Sequence, residues 1–158
     1  MEKDPFWELQ NKSQMLRSRL EACNDYTRKF GIEITQEEAS LLLEERKRTL
    51  KEQERIEFGE GILTKLIYTF CDSPYIYQDN YVEYITKLQE IFYLYKNESL
   101  DDVSDDELLD IMKEYFDGDC QGSLDYLEET CLEAFARSVR MRTTRFIGKQ
   151  RNEEEDAF

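Results

Sequence analysis

The fold is decided by DNYVEYITKLQEIFYLYKN, residues 79–97. At helical spacing, Tyr77, Tyr81, Tyr84, Leu88, Ile91 and Tyr95 make one stripe, and Val82, Ile85 and Phe92 a second beside it. The combined apolar arc is far wider than a helix with one wet face needs, so this stretch predicts the central helix of an all-α bundle. Tyrosine suits such a place because its ring can be buried while its hydroxyl stays wet. Aromatic stripes at this spacing more often build a core than a ligand pocket.

The segments on either side read as its packing partners. A first helix is expected from Phe6 to Lys29, with Phe6, Leu9, Ser13, Leu16, Leu20, Cys23, Thr27 and Phe30 inward and Gly31 as a left-handed cap. Thr35 and Glu38 form a capping box that opens a second helix running to about Phe58. Between Glu44 and Arg55 only Leu50 is large and apolar, so that half reads as a solvated helix, with a docking arm as the sharper alternative. Gly59 and Gly61 should turn the chain into a short apolar helix from Ile62 to Phe70, ended by Ser73-Pro74.

Downstream, Ser104 and Glu107 suggest another capping box, opening a fifth helix to Phe116 with Leu108, Ile111, Met112 and Tyr115 inward. A sixth, from about Ser123 to Met141, buries Leu124, Leu127, Cys131, Leu132, Phe135 and Val139. The segment Gly31–Ile34 is too short to make a sheet. The expectation is a single-domain bundle of about six helices without a sheet over residues 1–142, followed by a frayed tail at 143–158. That tail is basic, then acidic: Arg145, Lys149 and Arg151 precede Glu153, Glu154, Glu155 and Asp156.

Composition narrows function mainly by exclusion. The 158 residues carry 36 acids against 21 bases, a net charge of −15 that repels nucleic-acid phosphate and anionic membranes. The start, Met1–Trp7, lacks the apolar run of a secretory signal, and no stretch approaches the ~18 apolar residues that cross a bilayer. A cytoplasmic home is expected, with no membrane partner. Cys23, Cys71, Cys120 and Cys131 show no CxxC spacing and read as reduced, mostly buried residues. Histidine is absent, which removes the usual nucleophile-activating base and the commonest zinc ligand.

One motif carries chemistry. The stretch DGDCQGSLDYLE, residues 117–128, fits the calcium loop of a helix–loop–helix hand. Asp117, Asp119, Gln121, the Ser123 carbonyl, Asp125 and Glu128 fall at the oxygen-ligand positions, with Gly122 at the sharp turn. Against calcium stand the long Gln121, the charged Lys113 and Glu129 where apolar residues pack, and the lack of a second loop. The plainer account is a turn followed by a helix cap at Ser123 or Asp119.

Other sites are thinner. Asp101, Asp102, Asp105 and Asp106 read as capping acids rather than catalytic pairs. Gly59–Gly61 lacks the Lys-Ser/Thr of a phosphate loop, and no cysteine has a base nearby in sequence. Arg137, Arg140, Arg142, Arg145, Lys149 and Arg151 could meet nucleic acid, but the arginines ending helix six fit better as complements to its dipole and the acidic body. The reverse idea, an acidic mimic of nucleic acid, rests on charge alone.

The segments RIEFGEGILTKLIYTFCDSPY (55–75) and YFDGDCQGSLDYL (115–127) resemble a family of small acidic helical proteins of unknown function from Gram-positive anaerobic bacteria. The likeness covers roughly residues 15–140. It implies a bacterial cytosolic home, and no activity, cofactor or catalytic residue comes with it. It also makes 115–127 part of the fold's signature, which favours the turn over calcium. The resulting expectation is a non-catalytic protein-interaction or regulatory module whose partner is another protein. A single calcium hand is the alternative, followed by the nucleic-acid mimic and an unrecognised enzyme.

Overall fold

A computed structural model describes residues 5–59 and 61–142, giving the backbone alone for 5–11. The tail at 143–158 lies outside the described residues. Helix α1 spans Pro5–Ala22, α2 Gln36–Glu52, α3 Leu63–Phe70, α4 Tyr81–Glu98 and α5 Asp105–Asp117. Helix α6 covers residues 124–142 and widens to a π-turn at Leu127–Cys131. No strand occurs among the described residues. The architecture is the expected all-α bundle.

The first helix is shorter than its periodicity suggests. It breaks at Cys23 into a turn at Asn24–Thr27 and a 3-10 turn at Arg28–Phe30, closed by Gly31 at φ +80°. The break is held by buried side chains. Asn24 Nδ2 donates to the Ile34 carbonyl at 2.8 Å, the Ile34 amide donates back to Asn24 Oδ1 at 2.9 Å, and Thr27 Oγ1 donates to the Ile32 carbonyl at 2.8 Å. These bonds fold 31–34 back onto the turn and bury Ile32 and Ile34. Phe30 is thereby swung outward, contrary to its expected place in the core, and Ser13 is also exposed.

Helix α2 starts at the predicted capping box, with Glu38 N donating to Thr35 Oγ1 and Thr35 N to Glu38 Oε1. It stops at Glu52 rather than near Phe58, because Glu54 turns left-handed at φ +55°. Two side chains anchor that exit: Arg46 Nη2 donates to the Glu57 carbonyl at 2.7 Å and Asn97 Nδ2 to the Gln53 carbonyl at 2.9 Å. The second half of α2 is solvated on one face, where Glu44, Lys47, Arg48, Lys51 and Glu52 are exposed, and covered on the other. Arg46, Thr49 and Leu50 are buried against α4, and Arg48 Nη2 reaches Glu90 at 2.9 Å. Successive ties therefore run 48 to 90 and 53 to 97, so α2 and α4 are parallel.

Helix α4 is central as expected, touching α2, α3, α5 and α6. Ile85, Leu88, Ile91 and Phe92 are covered, and each such side chain contributes about 1.5–3 kcal/mol by leaving water. Tyr77 lies outside the helix and is exposed, whereas Tyr93, absent from either predicted stripe, is buried. At the far end Phe116 is boxed by rings meeting it edge-on: Phe70 at 5.6 Å, Tyr75 at 6.1 Å and Tyr84 at 6.3 Å between centroids. Ser104 caps α5 by accepting from the Glu107 amide at 3.2 Å.

Candidate functional site

The calcium-like loop is a turn in which Asp117, Glu128 and the Ser123 carbonyl are already engaged. Gly122 sits at φ +81°, and a Cβ there would lie 2.6 Å from Tyr75 Cβ, so this glycine is needed for close approach to Tyr75. Cys120 N donates to the Tyr115 carbonyl and Gly122 N to the Phe116 carbonyl, each at 2.9 Å, closing the end of α5. Asp117 Oδ1 accepts from Ser73 Oγ at 2.6 Å, and Asp117 Oδ2 pairs with Lys113 Nζ at 2.6 Å. Glu128 Oε2 pairs with Lys87 Nζ at 3.2 Å.

Ser123 caps α6 by accepting from the Tyr126 amide at 3.2 Å, while its carbonyl accepts from Leu127 N at 3.1 Å. Asp119, Gln121 and Asp125 are exposed, Gln121 at a left-handed φ of +48°. Burial alone would lower the Lys113 ammonium, but hydrogen bonds to Asp117 and Asp72 more than offset it and raise the net value. This lysine stays charged beside the first would-be ligand. Among the described residues no group of three or more acidic or cysteine side chains is placed to hold a metal ion.

All four cysteines are free thiols. Burial pushes the Cys71 thiol up, with Asp72 adding to it. Cys120 is pushed up to about 12 by burial and by the neighbouring Cys131. Nucleophilic cysteines need the opposite shift. Of the expected basic stretch, Arg140 pairs with Glu98 at 3.1 Å and with Glu133 at 3.6 Å, and Arg137 with Glu133 at 3.8 Å. These arginines lie on the acidic body, while Arg145, Lys149 and Arg151 fall outside the described residues.

The surface feature that sequence reading misses is aromatic. Tyr26, Phe30 and Tyr68 are 40%, 42% and 45% exposed. Their rings nonetheless touch, with Tyr26 5.6 Å from Phe30 and 5.5 Å from Tyr68, both edge-on. Lys29 Nζ stands 5.0 Å over the Tyr26 ring. The cluster joins two distant segments, the broken end of α1 and the outer face of α3. It is illegible in the sequence because a straight first helix sends Phe30 inward.

Tyr68 also borders a groove of about 450 Å³ between α3 and α5, lined by Lys65, Tyr68, Thr69, Asp106, Leu109 and Asp110. Lys65 pairs with Asp106 at 2.9 Å. Asp110 and Glu107 are exposed beside it, and Asp25 lies next to Tyr26 in the chain. The surface is thus a ring platform beside a mixed shelf, in which Lys65 holds Asp106 and Arg28 holds Asp25 while Glu107 and Asp110 add further acidity. Such a surface can seat an apolar side chain on the rings and charged groups on the shelf.

A family model described as a family of unknown function (DUF6323) matches residues 19–145. That span overlaps the stretch over which the sequence resembles small helical proteins without an assigned activity. No curated protein and no solved structure matches the chain.

Proposed function

Since the chain belongs to this family of unknown function, which lends it no activity, we propose from its own surface that it is a non-catalytic protein-binding module. The observation that carries this reading is the contiguous platform of Tyr26, Phe30 and Tyr68. Aromatic residues dominate the energetics of protein interfaces. The occupant is a basic segment of a partner protein, on grounds of charge: the chain carries −15, and Asp106 and Asp110 line the adjoining groove. An aliphatic or aromatic side chain of the partner would sit on the rings, and its lysines or arginines on the shelf. The home we assign is the cytosol of a Gram-positive anaerobe, on the strength of the 55–75 and 115–127 segments. No helix among the described residues is long and apolar enough to cross a membrane.

The test is a photo-crosslinking residue placed at Tyr68 in the full chain, with the captured partner peptide sequenced. The expected product is a basic segment. Its affinity should fall about 30-fold or more with Tyr26→Ser or Tyr68→Ser, the loss of a ~2 kcal/mol anchor, and should weaken steeply with salt. Capture of an acidic or uncharged segment, or binding indifferent to Asp106→Lys, overturns the proposal.

A further inference from the structure

The turn after α5 and the π-turn of α6 place two thiols in contact. Cys120 Sγ donates to Cys131 Sγ at 3.6 Å, and the two residues are only 5% and 8% exposed. Cys131 is the last residue of the π-turn. Leu132 N bonds the Leu127 carbonyl five residues back, so one extra residue enters the helix and both Cys131 and Leu132 face inward.

We infer that Cys120 and Cys131 form a reversible disulfide site that staples the α5–α6 turn to α6. Closing the bond requires the sulfurs to approach from 3.6 Å to about 2.05 Å. Cys120 lies in a turn between the exposed residues Asp119 and Gln121, and Cys131 ends the π-turn, so neither thiol sits within a regular α-helical ladder. The second buried pair is differently engaged. Cys23 Sγ donates to the Arg19 carbonyl at 3.6 Å and Cys71 Sγ to the Tyr68 carbonyl at 3.5 Å.

With hydrogen peroxide as oxidant the chemistry balances in two steps. The more exposed Cys131 sulfur attacks one peroxide oxygen; the O–O bond breaks, and a sulfenic acid and one water result. Cys120 sulfur then attacks the Cys131 sulfur, the S–O bond breaks, and hydroxide leaves with the Cys120 proton as a second water. Two thiols lose two electrons and peroxide becomes two waters. Cys120 is the resolving sulfur by position, in contact with Cys131, and the burial that keeps it protonated slows this second step because the attacking sulfur must shed its proton. Oxidation at this buried pair is therefore slow and needs sustained exposure to peroxide.

The test uses the full chain treated with peroxide, denatured, and its remaining thiols alkylated. The expected intact mass carries two alkyl groups rather than four, and a thiol reductant restores four. No lysine or arginine separates residues 120 and 131, so the crosslink must be mapped with a protease cutting after glutamate, which cleaves between them at Glu128 and Glu129. Cys120→Ser should leave a Cys131 sulfenic acid that a dione probe traps, a readout that needs no disulfide. Four free thiols after prolonged treatment, preferential oxidation of Cys23 and Cys71, or only intermolecular dimers would each overturn the assignment.

Discussion

Helix α4 has two unlike sides. Toward α3 and α5 it packs dry, with Ile85, Leu88 and Phe92 in the same core as Leu66, Phe70, Leu108, Met112 and Phe116. Toward α2 it meets a polar seam of Arg46, Thr49, Gln53, Gln89, Tyr93 and Asn97. There Gln89 is 0% exposed yet neither end of its amide has a partner, and Thr49 Oγ1 and Arg46 Nε are also unpartnered. Buried polar atoms without partners cost about 1–3 kcal/mol each. Helix α2 still adds Ala39, Leu42, Leu43 and Leu50 to the same core, so the seam is a polar strip within an apolar contact, and its unpartnered groups cost stability there. The seam is a place where a tighter sequence exists.

The largest expected effect lies on the dry side. Phe116→Ala removes the ring that Phe70, Tyr75 and Tyr84 surround, and should cost about 3–5 kcal/mol in urea unfolding. A loss below ~1 kcal/mol would break the claim that this side anchors the fold. Alkaline pH is a second probe, because α4 carries tyrosines on both sides. Burial raises Tyr81 and Tyr93, and burial with Glu133 and Glu128 pushes Tyr95 up to about 12. The folded chain thus holds phenolic protons that the unfolded chain releases near pH ~10. Their contribution is complete below pH ~10 and is lost as pH rises toward ~12. A melting temperature unchanged from about pH 9 to 11 would contradict this burial.

On the seam the sign reverses. Gln89→Leu should stabilise the fold by about 1–2 kcal/mol, since the replacement keeps the volume roughly and removes two unpartnered groups. Thr49→Val should gain about 1 kcal/mol by exchanging a hydroxyl for a methyl group of nearly the same shape. A clear destabilisation by either would mean that the seam's amide and hydroxyl are satisfied by bound water, and the two sides would then be equally well packed.

The same contrast explains what the sequence reveals. The dry side is legible, since Ile85, Leu88, Phe92, Leu108 and Met112 recur at helical spacing and periodicity reports apolar burial. The capping boxes are legible only in part: Thr35 with Glu38 closes both bonds, and Ser104 shows the one from Glu107. The seam is not legible, because Arg46, Thr49 and Gln89 look like solvent-facing residues until a parallel helix covers them. Nor is the aromatic platform, which depends on Asn24 and Thr27 bending the chain so that Phe30 meets solvent beside Tyr26. The 117–128 motif reads as either a turn or a metal loop because both need glycine and oxygen. Only the contact of Gly122 with Tyr75 shows what the glycine is for.

That loop supplies the smallest expected effect and the sharpest check on the satisfied side of α4. Tyr95 donates its hydroxyl to the Glu128 carbonyl, Lys87 holds the Glu128 carboxylate, and Lys113 with Ser73 holds Asp117. Calcium at 117–128 would have to displace two lysines, free Asp117 from Ser73 and turn the Ser123 carbonyl away from Leu127 N. Each change breaks a tie of the turn to α3, α4, α5 or α6. Addition of millimolar calcium should therefore leave the melting temperature within about 1 °C, because a ligand that does not prefer the folded state cannot stabilise it. Calorimetry should show no saturable heat that Asp117→Ala removes. A saturable heat abolished by that substitution, with a rise of several degrees, would mean these ion pairs are only the resting state of a cation site.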